Sequence, residues 1–165
     1  LRDSKGTMYE GGLREPTCAV WPGHIKPGTS TDRVALTMDI MPTLLQAAGA
    51  EPPRGIEARS FLPTLLGQAQ KPEDRYLFFT RREGGNFFHG GTIEAVLHGD
   101  WKLLRSKPGG PLELYNLKDD PQEKTDLAAG SNRPPQYDEL AQKLAEYVKA
   151  TEAVEWRRPS QRKGG

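Results

Sequence analysis

The 165 residues carry a formal net charge of +1 and are 35% apolar, with 18 glycines and 14 prolines spread along the chain. That is the profile of a globular chain of one ordinary domain or two small ones. It argues against a broad basic surface for nucleic acid, and no apolar run approaches the roughly 18 residues that would span a bilayer. The sequence opens at Leu1 inside a polar stretch, without a signal peptide in view, and so reads as a fragment for which export stays open.

The first element is a glycine loop, Lys5-Gly6-Thr7-Met8-Tyr9-Glu10-Gly11-Gly12-Leu13-Arg14-Glu15-Pro16. Glycine lets backbone approach a ligand closely, and a lysine at the loop's entry supplies a compact, mobile positive charge. The pair suggests an anion site; the plainer alternative is a solvated lysine before a structural turn. Arg14 is a second possible anion ligand, or an ion-pair partner of Glu10 or Glu15. Residues 17–21 (Thr-Cys-Ala-Val-Trp) read as a short buried strand ending at the Pro22-Gly23 turn, which makes Cys18 a buried structural thiol. As the sole cysteine, it can form neither an intrachain disulfide nor a cysteine-based metal site alone.

Residues 24–36 read as loop, with a turn at Pro27-Gly28. Asp39 is placed to cap a helix running to about Ala48, with Pro42 in its first turn, Leu44, Leu45, Ala47 and Ala48 on its apolar face and Gly49 at its end. Ser60 is placed to cap a short helix carrying Phe61, Leu62, Leu65 and Leu66, closed by Gly67. The polar stretch Gln68 to Asp74 marks a boundary: residues 1–67 form one part and residues 68–165 another.

Strand patterns follow at 75–80, 92–97, 101–105 and 112–117, joined by turns at His98-Gly99-Asp100 and Pro108-Gly109-Gly110-Pro111. They predict an antiparallel sheet of about four strands. A long loop from Arg81 to Gly91 holds Asn86, Phe87, Phe88 and His89. From about Pro134 to Glu155, Tyr137, Leu140, Ala141, Leu144, Val148 and Thr151 recur at spacings of three and four, the stripe of a helix that packs on one face of the sheet. The basic end, Trp156 to Gly165, reads as a frayed tail.

The three histidines, His24, His89 and His98, lack metal-ligand spacing. His24 and His98 fall in turns and default to the surface. His89, beside two phenylalanines in a long loop, is a candidate substrate contact. Asp119-Asp120-Pro121 reads as an ordinary turn rather than a cation site. No nucleophile elbow, phosphate-binding P-loop or dinucleotide fingerprint is present.

Five blocks, in order, carry a family resemblance over about residues 3–130. Lys5-Gly6-Thr7, Glu10-Gly11-Gly12, Arg14 and Pro16 resemble the K-G-T-x-x-E-G-G-x-R-x-P segment of the sulfatase family, of arylsulfatase type. Trp21-Pro22-Gly23 with Pro27-Gly28 is similar to its W-P-G-x-x-x-P-G stretch, and Asp39-Ile40-Met41-Pro42-Thr43 to its D-[IL]-x-P-T helix start. Gly99-Asp100-Trp101-Lys102 and Leu114-Tyr115-Asn116-Leu117, with Asp120, Pro121 and Glu123, resemble its G-x-[WY]-K and L-Y-[DN]-L-x-x-D-P-x-E signatures.

The resemblance implies an α/β, alkaline-phosphatase-like fold. Residues 1–67 would be the last part of the catalytic domain, and residues 68–165 a subdomain of small antiparallel sheet plus C-terminal helix. It implies hydrolysis of sulfate esters, with sulfated carbohydrate a candidate substrate, by a formylglycine nucleophile made from a C/S-x-P/A-x-R motif, assisted by Ca²⁺. Cys18 is followed by Ala19-Val20-Trp21 and departs from that motif, so nucleophile and metal ligands would lie upstream of this chain. Lys5 matches the family lysine that contacts the substrate sulfate and helps stabilise charge on the leaving oxygen; Glu10, Gly11, Gly12 and Arg14 would fix the loop presenting it. His89 matches no family motif. A periplasmic, secreted or lysosomal setting is implied as well. On this reading the chain alone is inactive and exposes apolar surface where the N-terminal part would sit. Two other readings stay open: a phosphoester hydrolase of the same superfold, and a degenerate sulfatase-like module that binds without turnover.

Overall fold

Period-two alternation builds a four-stranded sheet in the computed structural model, which describes residues 1–71, 73–82 and 91–152. The strands are β1 (Leu77–Arg82), β2 (Thr92–His98), β3 (Trp101–Arg105) and β4 (Glu113–Asn116). They pair in sequence order, each antiparallel to the next. The register aligns Ala95 with Leu104 and Leu104 with Glu113, and two residues on it aligns Leu97, Lys102 and Tyr115. Neighbouring strands thus turn matching side chains to the same face.

Both faces of the sheet are covered. On one, Val96, Leu103 and Leu114 pack with Ala128, Leu140 and Leu144. The last two come from α4 (Gln136–Glu152), whose stripe also brings Tyr137, Ala141 and Val148 to that core. On the other, Ile93, Ala95, Leu104 and Tyr115 pack with Met8 and Tyr9. Each fully buried leucine is worth about 1.5–3 kcal/mol over an exposed one. β2, β3, β4 and α4 lie where the sequence pattern puts them, while β1 runs two residues later than 75–80 and takes Arg81 and Arg82 from the expected loop; the second cover, made by the N-terminal segment, is what that pattern did not show. Leu1–Glu15 and the chain from Asp74 onward accordingly form one compact unit, and Pro16–Glu73 a second.

Within the first unit the N-terminal segment ends in one helical turn, α1 (Glu10–Leu13). The second unit holds a 3-10 turn, Thr37–Asp39, that runs into α2 (Ile40–Ala47), and a short α3 (Leu62–Leu65). Asp39 precedes α2 as expected, yet its carboxylate does not bond the helix's first amides. It is 1% exposed and accepts the N–H groups of Leu36 and Arg59, each at 2.8 Å. Thr43 Oγ1 donates to the Asp39 carbonyl at 2.6 Å and accepts the Phe61 N–H at 3.0 Å. Asp39 and Thr43 therefore tie α2 to the chain ahead of α3, supplying acceptors to the part-buried amides of Arg59 and Phe61. Ser60 Oγ accepts the Leu62 N–H at 3.2 Å, although Phe61 is the residue flanking α3.

Residues 17–21 form no strand, and Cys18 is exposed rather than buried. A strand needs a hydrogen-bonding neighbour, and the only sheet among the described residues is formed by β1 to β4. Val20 is 85% exposed. Apolar side chains are exposed on the 3-10 turn and α2 too: Met38, Ile40, Met41 and Leu44. His89, its neighbours in the long loop and the basic tail lie outside the described residues.

Candidate anion-binding site

Lys5 sits in a turn on the N-terminal segment and its side chain is exposed. No hydrogen bond or ion pair holds it among the described residues, whereas the backbone around it is held on several sides. Gly6, at φ +100°, gives its carbonyl to the Arg81 guanidinium of β1, and a Cβ there would collide with that guanidinium. The Gly11 N–H donates to the Arg2 carbonyl at 2.8 Å. A Cβ on Gly11 would stand 2.2 Å from the Asp3 carbonyl oxygen, so only glycine lets α1 lie this close to the start of the chain. Arg2 in turn donates to the Tyr115 hydroxyl at 2.9 Å and to the Glu123 carbonyl at 2.6 Å, with its guanidinium 3.9 Å from the centre of the Tyr9 ring.

Beneath this loop lies a buried ion cluster. Lys102 Nζ is 2.9 Å from Glu10 Oε1 and 2.9 Å from Glu123 Oε1. The three side chains are 1%, 7% and 0% exposed, in that order. The Glu10 contact is a hydrogen bond. The Glu123 Oε1 contact is a charge contact without hydrogen-bond geometry. Glu123 Oε2 accepts the Glu10 backbone N–H at 2.7 Å, satisfying one of the unpaired amides at the start of α1. Arg14 completes the set, its Nε 2.9 Å from Glu10 Oε2, which settles its partner as Glu10. Two cations thus face two carboxylates, although only Lys102 among the cations is buried and Arg14 reaches in from the surface.

A second polar group flanks the first. Glu113 accepts hydrogen bonds from Tyr9 (2.7 Å), Tyr115 (2.6 Å) and Ser106 (2.5 Å). Burial alone would raise its carboxyl, but the Ser106, Tyr115 and Tyr9 hydroxyls and the Arg2 charge outweigh it and hold the group below the usual range. The same contacts act oppositely on the phenols: burial first, then the Glu113 hydrogen bond, pushes Tyr115 far above the usual phenol range, and Tyr9 is raised for the same two reasons.

The arrangement presents one solvated ammonium, with three donors and no acceptor, on a backbone anchored to the sheet. Lys5 lines neither the cleft of about 370 Å³ beside Arg2 and Glu123 nor the cleft of about 310 Å³ beside Trp101 and Asp120. Among the described residues no three His, Cys, Asp or Glu side chains are placed to hold a metal ion. Cys18 is exposed and outside the C/S-x-P/A-x-R pattern. The described residues fit neither calcium nor formylglycine, and no chemical step is assigned through either.

The family model of the N-sulphoglucosamine sulphohydrolase C-terminal region matches residues 3–153. The chain belongs to the sulfatase family, in its C-terminal portion. It is 36% identical over 151 residues to arylsulfatase A of Homo sapiens, an alignment covering 79% of this chain and 29% of that protein. Among solved structures it resembles a protein in complex with its substrate D-glucosamine-2-N,6-O-disulfate, at TM-score 0.63 and 24% identity over 87% of this chain and 29% of the other. It also resembles a phosphonate monoester hydrolase from Silicibacter pomeroyi, at TM-score 0.54 and 22% identity over 81% of this chain and 28% of the other. Both structures share the α/β sulfatase-type fold with this chain. The sulfatase chain spans less than a third of the length of each of these three proteins.

Lys102 and Glu123 are the residues that motif reading passed over as chemistry. A signal for Lys102 was present, because it shares strand parity with the inward Leu104. Glu123, φ +51° in a loop, carried none beyond its place in a family block.

Proposed function

We propose that this chain is the C-terminal part of a sulfatase that hydrolyses sulfate esters, and that Lys5 contacts the substrate sulfate. The observation that carries the reading is the contrast at Lys5: an exposed ammonium with no partner among the described residues, on backbone that buried groups hold in place. As the S–O bond to the leaving group breaks, negative charge grows on the leaving oxygen. A preplaced ammonium stabilises that charge without reorganising, and removing one such donor costs about 10²–10³ in kcat. The nucleophile and any metal would come from sequence outside this chain. Sulfated carbohydrate is the substrate class, a choice supported by the fold neighbour solved with a sulfated glucosamine. His89 keeps its proposed place as a substrate contact.

The test is turnover of aryl sulfates, sulfated sugars and aryl phosphates by the longer protein that this reading requires. Sulfate ester hydrolysis that drops about 100-fold or more in Lys5→Ala, with none by the 165-residue chain alone, supports it. Preference for the phosphate ester points instead to a phosphoester hydrolase, a chemistry the fold also hosts. Sulfate binding without turnover points to a non-catalytic module. Turnover by the isolated chain overturns the assignment of the nucleophile to other sequence.

A further inference from the structure

The Glu10, Lys102 and Glu123 cluster costs more to bury than its attraction repays by default, because ions leave strong hydration behind. An apolar trio of similar volume would hold the same segments together at least as well. What ions add is geometry: an ammonium and a carboxylate lock at a fixed distance, and the carboxylate of Glu123 can also hold a backbone N–H. Three segments meet at this point. Glu10 begins α1, five residues after Lys5; Lys102 is the second residue of β3; Glu123 sits in the loop after β4. The contacts bind side chain to side chain at 2.9 Å and side chain to backbone at 2.7 Å. Glu123 also meets the start of the chain, its carbonyl accepting from Arg2 at 2.6 Å. The loop that carries Lys5 is thus held at Arg2 and at Glu10 by the same buried residue.

We propose that Lys102 and Glu123 are positioning residues for Lys5, acting through Glu10 and Arg2 to fix where its ammonium stands. The inference rests on the sulfatase reading for its catalytic consequence, but its structural half is tested without activity. Neither residue touches substrate. Loss of the clamp lets the loop wander by about an ångström, enough to lower a rate about 100-fold where alignment matters.

The experiment compares the wild-type longer protein with Glu123→Gln, which keeps shape and one acceptor, with Lys102→Met, and with each combined with Lys5→Ala. Hydrogen exchange across residues 2–12 is expected to quicken at least tenfold in both single variants, and in Glu123→Gln to do so while α4 keeps its protection. On sulfate ester, kcat is expected to fall about 10- to 100-fold with KM within threefold. On the Lys5→Ala background the same substitutions are expected to lower kcat by no more than twofold, because a residue acting through Lys5 has nothing left to position. Unchanged exchange in residues 2–12, or a kcat loss that persists in full on the Lys5→Ala background, overturns the proposal. If Lys102→Met fails to fold, Glu123→Gln alone decides. If the wild type hydrolyses no sulfate ester, the functional reading fails and the exchange measurement still judges the clamp.

Discussion

Lys102 Nζ stands 2.9 Å from Glu10 Oε1, joining a central strand to the first residue of a helical turn 92 residues earlier. Both groups are almost wholly buried, so neither has water to fall back on. Replacing Lys102 with methionine leaves Glu10 with Arg14 alone and Glu123 as a buried carboxylate that has lost its cation. Breaking a buried pair in this way costs about 3–5 kcal/mol. Denaturant unfolding is expected to show that loss for Lys102→Met, and a markedly smaller loss when Lys102→Met is joined by Glu10→Gln and Glu123→Gln. Equal losses in both would mean that packing, not charge, is what Lys102 supplies.

Gly11 is fixed by contact rather than by turn type. Its missing side chain leaves room for the Asp3 and Arg2 carbonyls, which an added Cβ would approach to 2.2 and 2.5 Å. Backbone cannot move aside as a flexible side chain can. Gly11→Ala is therefore expected to destabilise the protein by about 1–3 kcal/mol, as overpacked positions do. Gly28, whose added Cβ would meet nothing, serves as the control. Because it has positive φ, Gly28→Asn is the suitable substitution, expected to change stability little. Melting temperatures of the two variants check the contrast.

Glu113 gives the fold a dependence on acid. Its folded-state value is depressed, so the unfolded chain binds a proton before the folded one does. The stability it contributes is present above the ordinary value of 4.5 and is lost as pH falls through the depressed value. Stability is expected to drop in that window, and the Glu113→Gln variant to show a shallower drop. Urea midpoints measured at intervals between pH 6 and about pH 2 read the difference. A slope unchanged by the substitution would remove Glu113 from the acid response.

Met38, Ile40, Met41 and Leu44 leave an apolar strip on the outer side of the 3-10 turn and α2, with Leu44 63% exposed. If the proposed longer sulfatase covers this strip, Leu44→Gln is expected to improve the solubility of the 165-residue chain and to destabilise the longer protein. Sedimentation of the isolated chain and melting of the longer one measure the two effects. Unchanged sedimentation of the isolated chain and unchanged melting of the longer one would show that the strip is an ordinary surface.

Much of this protein is decided locally, and so its sequence alone suffices for it. The strands at 92–97 and 101–105 and the helix after Pro134 follow from side-chain alternation at periods of two and 3.6, which neighbours in the chain set by themselves. The family likeness is equally local, five short blocks in order, and the ammonium of Lys5 is a property of its residue type. What depends on distant partners was not legible. Residues 17–21 have the composition of a strand but, among the described residues, no strand beside them, and Cys18 stands exposed. The N-terminal segment packs on the sheet face opposite α4 because Met8 and Tyr9 find Ala95, Leu104 and Tyr115 there, contacts no periodicity encodes. The Glu10, Lys102 and Glu123 cluster exists only because folding removes all three from water at one point, where opposite charges must meet or the burial fails. Sequence supplied the lysine that faces the solvent; tertiary structure supplied the buried one beneath it that holds the loop still.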